Sequence, residues 1–557
     1  MKLKSLIGRM VIMYNIKSLF KNDGLLGLLS IIMVIYTSIL VYCQSIRGVN
    51  YWDIFIYLQN AMLFAHHNIG SQLSVPPVFS LLVSIPFQLG FISENSMFIV
   101  SGILFILLVI GLYLLLNECF DNEISFLASL IFSMFSLIVT WALTGATDVP
   151  ALCFGVWAFY FTVKGLNEDF KYFYPAIGFF VLAFFTRFTE GFILIVMGFY
   201  ILINFESFRK QLTSKRLMGI LLFCMFLGIV ICGVYLVNQG TIPFISQFME
   251  VSSSNQVSSI NVGYEINPFY YFENLPQYLT SLSVSNEYFH SLSTSYNNST
   301  VLSYVFIALV LVYLIKFCVN LVKYDECSVS YKKLKQLTVI ILSVICIISY
   351  THISYILTEL LFTMILLSYY IWLPDKDNQF DYVMFLWLGI FIILHSYHPV
   401  KVDRYIIPIL VPIIYFTCKS LTYFIKNKKK TIIAMTLILI ILIPINISYM
   451  TSITTENQHT HEEKEASQFI KKYDTHYTEY NISSDRGVAF SWYLKKYTYT
   501  TIPRVLKANN ESLEDKLNSI QAKYYIDSTS NTTNITGYHK IYDNNKENVK
   551  IKIYERD

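Results

Sequence analysis

The chain has 557 residues, 55% hydrophobic, 16% aromatic and only 14% charged, with a mean hydropathy of +0.51. A soluble domain carries roughly 25% charged residues, so a soluble globular fold is excluded. A net charge of +4 is too small to point to nucleic acid, and nine scattered cysteines without a CxxC pair leave neither a disulfide framework nor a zinc knuckle.

A basic N-terminus over 1–23 precedes an apolar stretch from Gly24 to about Cys43, too long for a signal-peptide core and read as a retained anchor. A membrane-spanning helix needs about 20 mostly apolar residues. Candidate spans are 24–43, 97–116, 124–142, 149–164, 173–187, 190–205 and 217–237, then 301–320, 337–351, 355–373, 382–396, 405–424 and 431–449. That predicts a transmembrane domain over 24–449 with about thirteen helices. The apolar segment 78–91 is short and contains Pro86, which suits a re-entrant or interfacial helix.

Of the 78 charged residues, 30 fall in Met450–Asp557, so a polar domain over 450–557 follows the spans. Its pattern predicts a small α/β fold. Helices are expected at HEEKEASQFIKKY, GVAFSWYLKKY and ESLEDKLNSIQ, strands at YNISS and AKYYIDS, and a closing hairpin at HKIYD and VKIKIYER. No internal repeat is found.

Lys and Arg set the orientation. Lys2, Lys4, Arg9, Lys17 and Lys21 share a side with Lys164, Lys171, Arg209, Lys210, Lys215, Arg216, Lys323, Lys332, Lys333, Lys335 and the run Lys426–Lys430. The other side is almost free of basic residues, and the 238–300 loop has none. The N-terminus is therefore expected in the cytoplasm and the C-terminal domain outside the cell membrane. The outer loops are 44–96 and 238–300. A structureless loop as long as the second is uncommon unless it covers a site.

Ionisable residues at or in the spans are costly and point to function. Asp53 lies in the first outer loop, Asp148 at the start of the fourth span, and Arg187 and Glu190 at an outer turn. His395, His398, Lys401, Asp403 and Arg404 precede the twelfth span. All converge on one membrane face, whereas a proton relay would string them through the midplane. Simpler readings stand beside this one. Asp148, before Val149 and Pro150, could be only an N-cap. Arg187 could snorkel to the interface, and Arg404 could pair with Asp403. The two histidines could be satisfied interfacial groups, or could ligate a divalent metal with Asp53 or Asp148. Asp53 has no evident capping duty.

At these residues the chain resembles the GT-C class of membrane glycosyltransferases, which holds the protein O-mannosyltransferases and the lipid A aminoarabinose transferase. The likeness covers roughly 24–425. Asp53 with Tyr57 and Ala61 is similar to the first-loop acidic motif of that class. Pro76-Pro77, followed by an apolar stretch ending in Leu89-Gly90, resembles its PPL segment. Thr147-Asp148-Val149-Pro150 resembles the tDxP opening of a span, Phe185-Thr186-Arg187 an LTK/LTR ending, and Arg404-Tyr405 with Pro408 a late RY…P motif. Two departures bear on the substrate subclass. Ile54 stands where the mannosyltransferases pair Asp with Glu, and Val75 replaces the lysine of KPPL. Archaeal and bacterial branches of the group carry such changes.

The resemblance implies a polyprenyl-phosphate sugar donor, dolichyl- or undecaprenyl-linked, met at the outer leaflet, with a glycan, lipid or protein acceptor. It implies Asp53 as base, partly stripped of water by the membrane, and Asp148 as a second catalytic carboxylate. Arg187, Arg404 and Lys401 would hold the donor phosphate. Tyr57, Glu190, His395 and His398 are possible substrate contacts. Direct displacement at the anomeric carbon would invert configuration. No cofactor is assigned with certainty, and a divalent metal stays open. The alternatives are a lipid-linked oligosaccharide flippase, which would place ionisable groups at the midplane, and a membrane sugar polymerase or ligase.

Overall fold

The computed structural model describes residues 23–49, 51–239, 267–283, 299–323, 332–352, 354–372, 378–398, 401–453, 458–530, 532, 534–546 and 549–557. Almost all of the basic N-terminus and most of the 238–300 loop lie outside the described residues.

All thirteen expected spans are helical, but they are not alike. Among the described residues, seven are long and apolar enough to cross a membrane, or eight if a bent pair counts as one span. The first, Gly24–Arg47, starts where the Asp23 carboxylate accepts the amides of Leu25 and Leu26 at 3.1 and 3.2 Å. It stops at Gly48, whose φ of +77° is a conformation that glycine adopts without a Cβ penalty. Ser93 caps the next spanning helix, Glu94–Leu116. The stretch 124–142 is broken into Asn122–Ser133 and Ser136–Trp141. The span read at 190–205 opens as a 3-10 turn, Phe188–Phe192, and its run Phe188–Ile203 bends by 84° into Phe205–Gln211.

Asp148–Asn167 is the central helix, wrapped by apolar neighbours on nearly every side. Phe159 packs edge-on to Trp387 of the Gln379–Tyr397 helix at 5.7 Å. Gly111 lets the Trp157 indole approach closely, and that indole donates to the Leu107 carbonyl at 2.9 Å.

The segment 44–96 is not an open loop. It folds into the helices Trp52–Phe64 and Val78–Gln88. The second has 11 residues, too few to cross a bilayer, and leaves Leu81 and Ile85 exposed, as an interfacial helix should. The described part of the 238–300 loop is also ordered. The Tyr270–Leu279 helix packs on Ser136–Trp141 and on the 3-10 turn Asp403–Ile409.

The C-terminal segment forms one five-stranded sheet. Its strands are β1 (Asn481–Ser484), β2 (Tyr499–Thr500), β3 (Ala522–Asp527), β4 (Tyr538–Asp543) and β5 (Lys552–Arg556), in the order β2-β1-β3-β5-β4. β2, β1 and β3 run parallel, and β3, β5 and β4 antiparallel. The expected helices form at Gln458–Tyr473, Gly487–Leu494 and Leu513–Ser519, and β4 and β5 make the expected hairpin. The two-residue strand β2 and the short Pro503–Ala508 helix were too brief to read from pattern. Gly487–Leu494 docks the domain on the bundle. Tyr493 meets Phe55 edge-on at 5.5 Å and Trp492 stacks on Phe87 at 5.9 Å.

Candidate active site

Four charged residues from distant parts of the chain meet at one end of the bundle. Asp53 lies in the first turn of Trp52–Phe64, and Asp148 in the first turn of the central helix. Arg187 ends the Phe173–Thr186 helix, and Arg404 lies in the Asp403–Ile409 turn. Arg404 Nη2 contacts Asp53 Oδ2, and its Nε lies 3.6 Å from Asp148 Oδ2. Arg187 Nη1 lies 2.7 Å from Asp148 Oδ1. The order Asp53–Arg404–Asp148–Arg187 thus alternates in sign and sums to zero. A helix N-terminus favours a carboxylate in its first turn, which supports both aspartates where they stand.

Three of the simpler readings do not hold. Asp148 is no N-cap, because Thr147 occupies that position without a side-chain bond and Asp148 turns to the arginines. Arg187 does not snorkel, being only 15% exposed and bound to Asp148, with Nε donating to Thr189 at 2.9 Å. Arg404 does not pair with Asp403. Asp403 Oδ1 accepts the hydroxyls of Tyr270 and Tyr278 at 3.1 and 2.9 Å, so the long loop fixes the turn that carries Arg404.

Two expectations for Asp53 are also corrected. It sits on a helix rather than in a loop, and 44% of its side chain is exposed. Its setting is therefore an arginine at the edge of an open space, not an apolar pocket.

The buried polar groups are strongly under-satisfied. Neither Asp148 oxygen is met by a well-directed N–H among the described residues, and Arg404 Nε and Nη1 have no hydrogen-bond partner there. Each such group costs about 1–3 kcal/mol in a closed core. Glu190, 1% exposed, is equally short of partners at Oε1, which lies 2.7 Å from where a Cβ on Gly155 would stand. A side chain larger than glycine there would push Glu190 away.

The other expected residues divide. Tyr57 is buried in the site, with its hydroxyl 3.4 Å from Thr147 Oγ1. Burial, and then the neighbouring Asp53, push its phenol up to about 12. Lys401 stands apart from the four-charge chain. Its ammonium donates to the carbonyls of His395 and Ser396 at 3.0 and 2.7 Å, closing the end of the Gln379–Tyr397 helix. His395 and His398 lie 5.5 and 5.6 Å from the Tyr405 ring. The metal set imagined from them with Asp53 or Asp148 is not gathered. Among the described residues, the group of three ligating side chains close enough to share an ion is His461, Glu462 and Glu465, in the C-terminal domain.

Two aromatic residues belong to the site although their charge did not announce them. The Arg187 guanidinium lies 4.4 Å from the Tyr405 ring centre, and that of Arg404 lies 5.3 Å from the Trp141 ring. These faces hold the guanidiniums without consuming their N–H donors. Tyr405 adjoins Arg404 in the sequence, which was the available signal. Trp141 gave none.

Residues 74–232 match the family described as dolichyl-phosphate-mannose-protein mannosyltransferase. No curated protein matches the sequence. Among solved structures, ArnT from Cupriavidus metallidurans bound to undecaprenyl phosphate aligns with a TM-score of 0.59 at 9% identity, over 94% of this chain and 97% of its own. Its apo form aligns at 0.60 and 8% identity, over 96% and 98%. The Archaeoglobus fulgidus oligosaccharyltransferase in the apo form aligns at 0.49 and 11% identity, over 89% of this chain and 69% of its own. The family match covers residues 74–232, and over nearly its whole length the chain has the fold of the ArnT structures.

Proposed function

We propose that the protein moves a sugar from a polyprenyl-phosphate donor to an acceptor at the outer membrane face, inverting the anomeric centre. One observation carries this reading. A buried arginine, Arg404, and a half-buried one, Arg187, converge beside two carboxylates, and Arg404 keeps N–H donors that no described group satisfies. A phosphate oxygen has the charge and the lone pairs to complete them. The undecaprenyl phosphate in the ArnT crystal structure supports a lipid of that kind here.

The Arg404–Asp53 contact supports the following sequence of events. While Arg404 holds Asp53, the carboxylate oxygen is engaged and is not offered to an acceptor. A donor phosphate seated on Arg187 and Arg404 competes for the guanidinium and frees Asp53 toward the open space. Asp53 then takes the proton of the acceptor as its heteroatom attacks the anomeric carbon. The bond from that carbon to the phosphate oxygen breaks, and the charge developing on the phosphate stays beside the arginines. Asp148 is the fixed counter-charge that keeps both arginines in place. A single base with no second carboxylate acting as nucleophile gives inversion.

The full-length protein, incubated with a polyprenyl-phosphate sugar and a lipid extract, is expected to release polyprenyl phosphate and give a product of opposite anomeric configuration, read by NMR. Retention of configuration, or donor turnover unchanged in Asp53→Asn, overturns the scheme. A reporter active only outside the cell, fused after Asp557, is expected to be active.

A further inference from the structure

A polar cavity lies where the C-terminal domain meets the ends of two spanning helices. It has a volume of 340 Å³ and is lined by Ser45 from the last turn of Gly24–Arg47, Ser93 and Glu94 from the start of Glu94–Leu116, and Lys464, Trp492, Tyr493 and Lys495 from the domain.

Its charges are unevenly matched. Glu94 is fully engaged, accepting the Trp492 indole N–H at 3.0 Å and lying 3.4 Å from Lys464 Nζ. Lys495 has no carboxylate partner among the described residues. Its ammonium sits 3.0 Å from the centre of the Trp492 ring. Although the residue reaches the surface, desolvation of the ammonium draws it down to about 7, with Glu94 opposing. An anion arriving beside it would restore its proton. With an anion bound, the lining would set two ammonium groups against the one Glu94 carboxylate, a net charge of +1. Tyr493, 9% exposed, adds a buried hydroxyl with no hydrogen-bond partner.

The rim is apolar. Tyr42, one turn before Ser45, is 67% exposed, and Leu89 and Phe91, just before Ser93, are 71% and 67% exposed. Helix ends, exposed aromatic and aliphatic side chains and lysines together are what a protein presents at the bilayer boundary. The ligand that matches a single positive charge, hydrogen-bond donors and an apolar rim is a phosphodiester attached to acyl chains.

We propose that this cavity binds the headgroup of an anionic phospholipid, which bridges Lys464 and Lys495 of the domain to the ends of the two spanning helices and pins the domain to the bundle. The test is native mass spectrometry of the full chain from nanodiscs of phosphatidylglycerol and phosphatidylcholine. The wild-type protein is expected to retain phosphatidylglycerol selectively through delipidation. Two basic side chains near the surface account for a loss of about tenfold or more in Lys464→Gln/Lys495→Gln. Tyr493→Phe, which keeps the ring packing, is expected to lower retention to a smaller degree, while Arg187→Ala leaves it unchanged. Equal retention of phosphatidylcholine, or undiminished retention by the double lysine variant, overturns the proposal. So does loss in Arg187→Ala, which would place the lipid in the donor site, or full displacement by millimolar inorganic phosphate, which would assign a free-phosphate site.

Discussion

Asp148 in the bundle and Asp485 in the C-terminal domain are both 2% exposed, yet they are held in opposite ways. Asp485 sits at the end of β1 and accepts the amide and hydroxyl of Ser528 at 3.0 and 2.8 Å. It also accepts both groups of Thr529 at 2.7 Å and the Ser530 amide at 3.1 Å. Asp148 faces two arginines and no well-directed donor. A carboxylate wrapped by its own loop is a structural anchor, because its solvation has been replaced within the fold. One balanced only by two arginines, of which Arg404 keeps N–H groups unsatisfied, leaves room for another anion. Burial alone does not separate the two; hydrogen-bond completeness does.

The comparison breaks first at Asp53, the exposed member of the charge chain. Asp53→Asn keeps size and removes the proton acceptor. Turnover of a polyprenyl-phosphate sugar is expected to fall about 10²–10⁴-fold, while the amide oxygen still accepts from Arg404 and the loss of stability stays within about 1–3 kcal/mol. A variant that melts early and turns over normally would move Asp53 into the structural group with Asp485.

Arg187→Ala comes next. Loss of a donor to the leaving phosphate is worth about 10²–10³-fold in rate, and the variant is expected to bind donor lipid more weakly, seen by mass spectrometry of the purified protein. Loss of expression with normal donor binding in what remains would mean that Arg187 is there to neutralise Asp148.

Asp485→Asn sharpens the contrast from the other side. An amide nitrogen among the donors of Ser528 to Ser530 leaves at least one N–H unmatched, costing about 1–3 kcal/mol. Denaturant unfolding should show that loss, with turnover per folded molecule unchanged. A turnover defect beyond the folded fraction would extend the site into the domain.

How much of this was legible in the sequence follows from the same physics. The helices were, because a 3.6-residue backbone in lipid needs long apolar runs and these are hard to miss. Their breaks were not. Nothing in the apolar text of 124–142 marks the interruption after Ser133, and the bend after Ile203 falls at Asn204, whose side-chain amide donates to the Tyr200 carbonyl at 3.1 Å. The convergence of Asp53, Asp148, Arg187 and Arg404 was legible as cost, since ionisable groups beside a membrane are rare. Their partners were not. Arg404 adjoins Asp403 in sequence but contacts Asp53, because the Tyr270 and Tyr278 hydroxyls occupy Asp403. Lys401 was grouped with the arginines by charge alone, whereas its three donors suit the free carbonyls at a helix end. Trp141 was invisible because a tryptophan in an apolar run looks like core.

Tyr57 tests the boundary of the site with the smallest expected effect. Its hydroxyl lies 3.4 Å from Thr147 Oγ1, well beyond the roughly 2.7–2.8 Å of a good O–H···O bond. Tyr57→Phe should therefore cost less than about 0.5 kcal/mol in stability, since ring packing against Phe79 is kept. The phenol is pushed up to about 12 by burial and by Asp53, so it remains protonated throughout the working range and cannot serve as a base. Its titration thus contributes nothing to a pH–rate profile below that point, and the variant's profile should overlay that of the wild type. What the hydroxyl can still do is orient a sugar or acceptor by one neutral hydrogen bond, worth about 0.5–1.5 kcal/mol, or up to about tenfold in kcat/KM. A collapse as deep as that of Asp53→Asn, or a lost limb in the pH profile, would put the phenol on the path of the proton and displace Asp53 as the base.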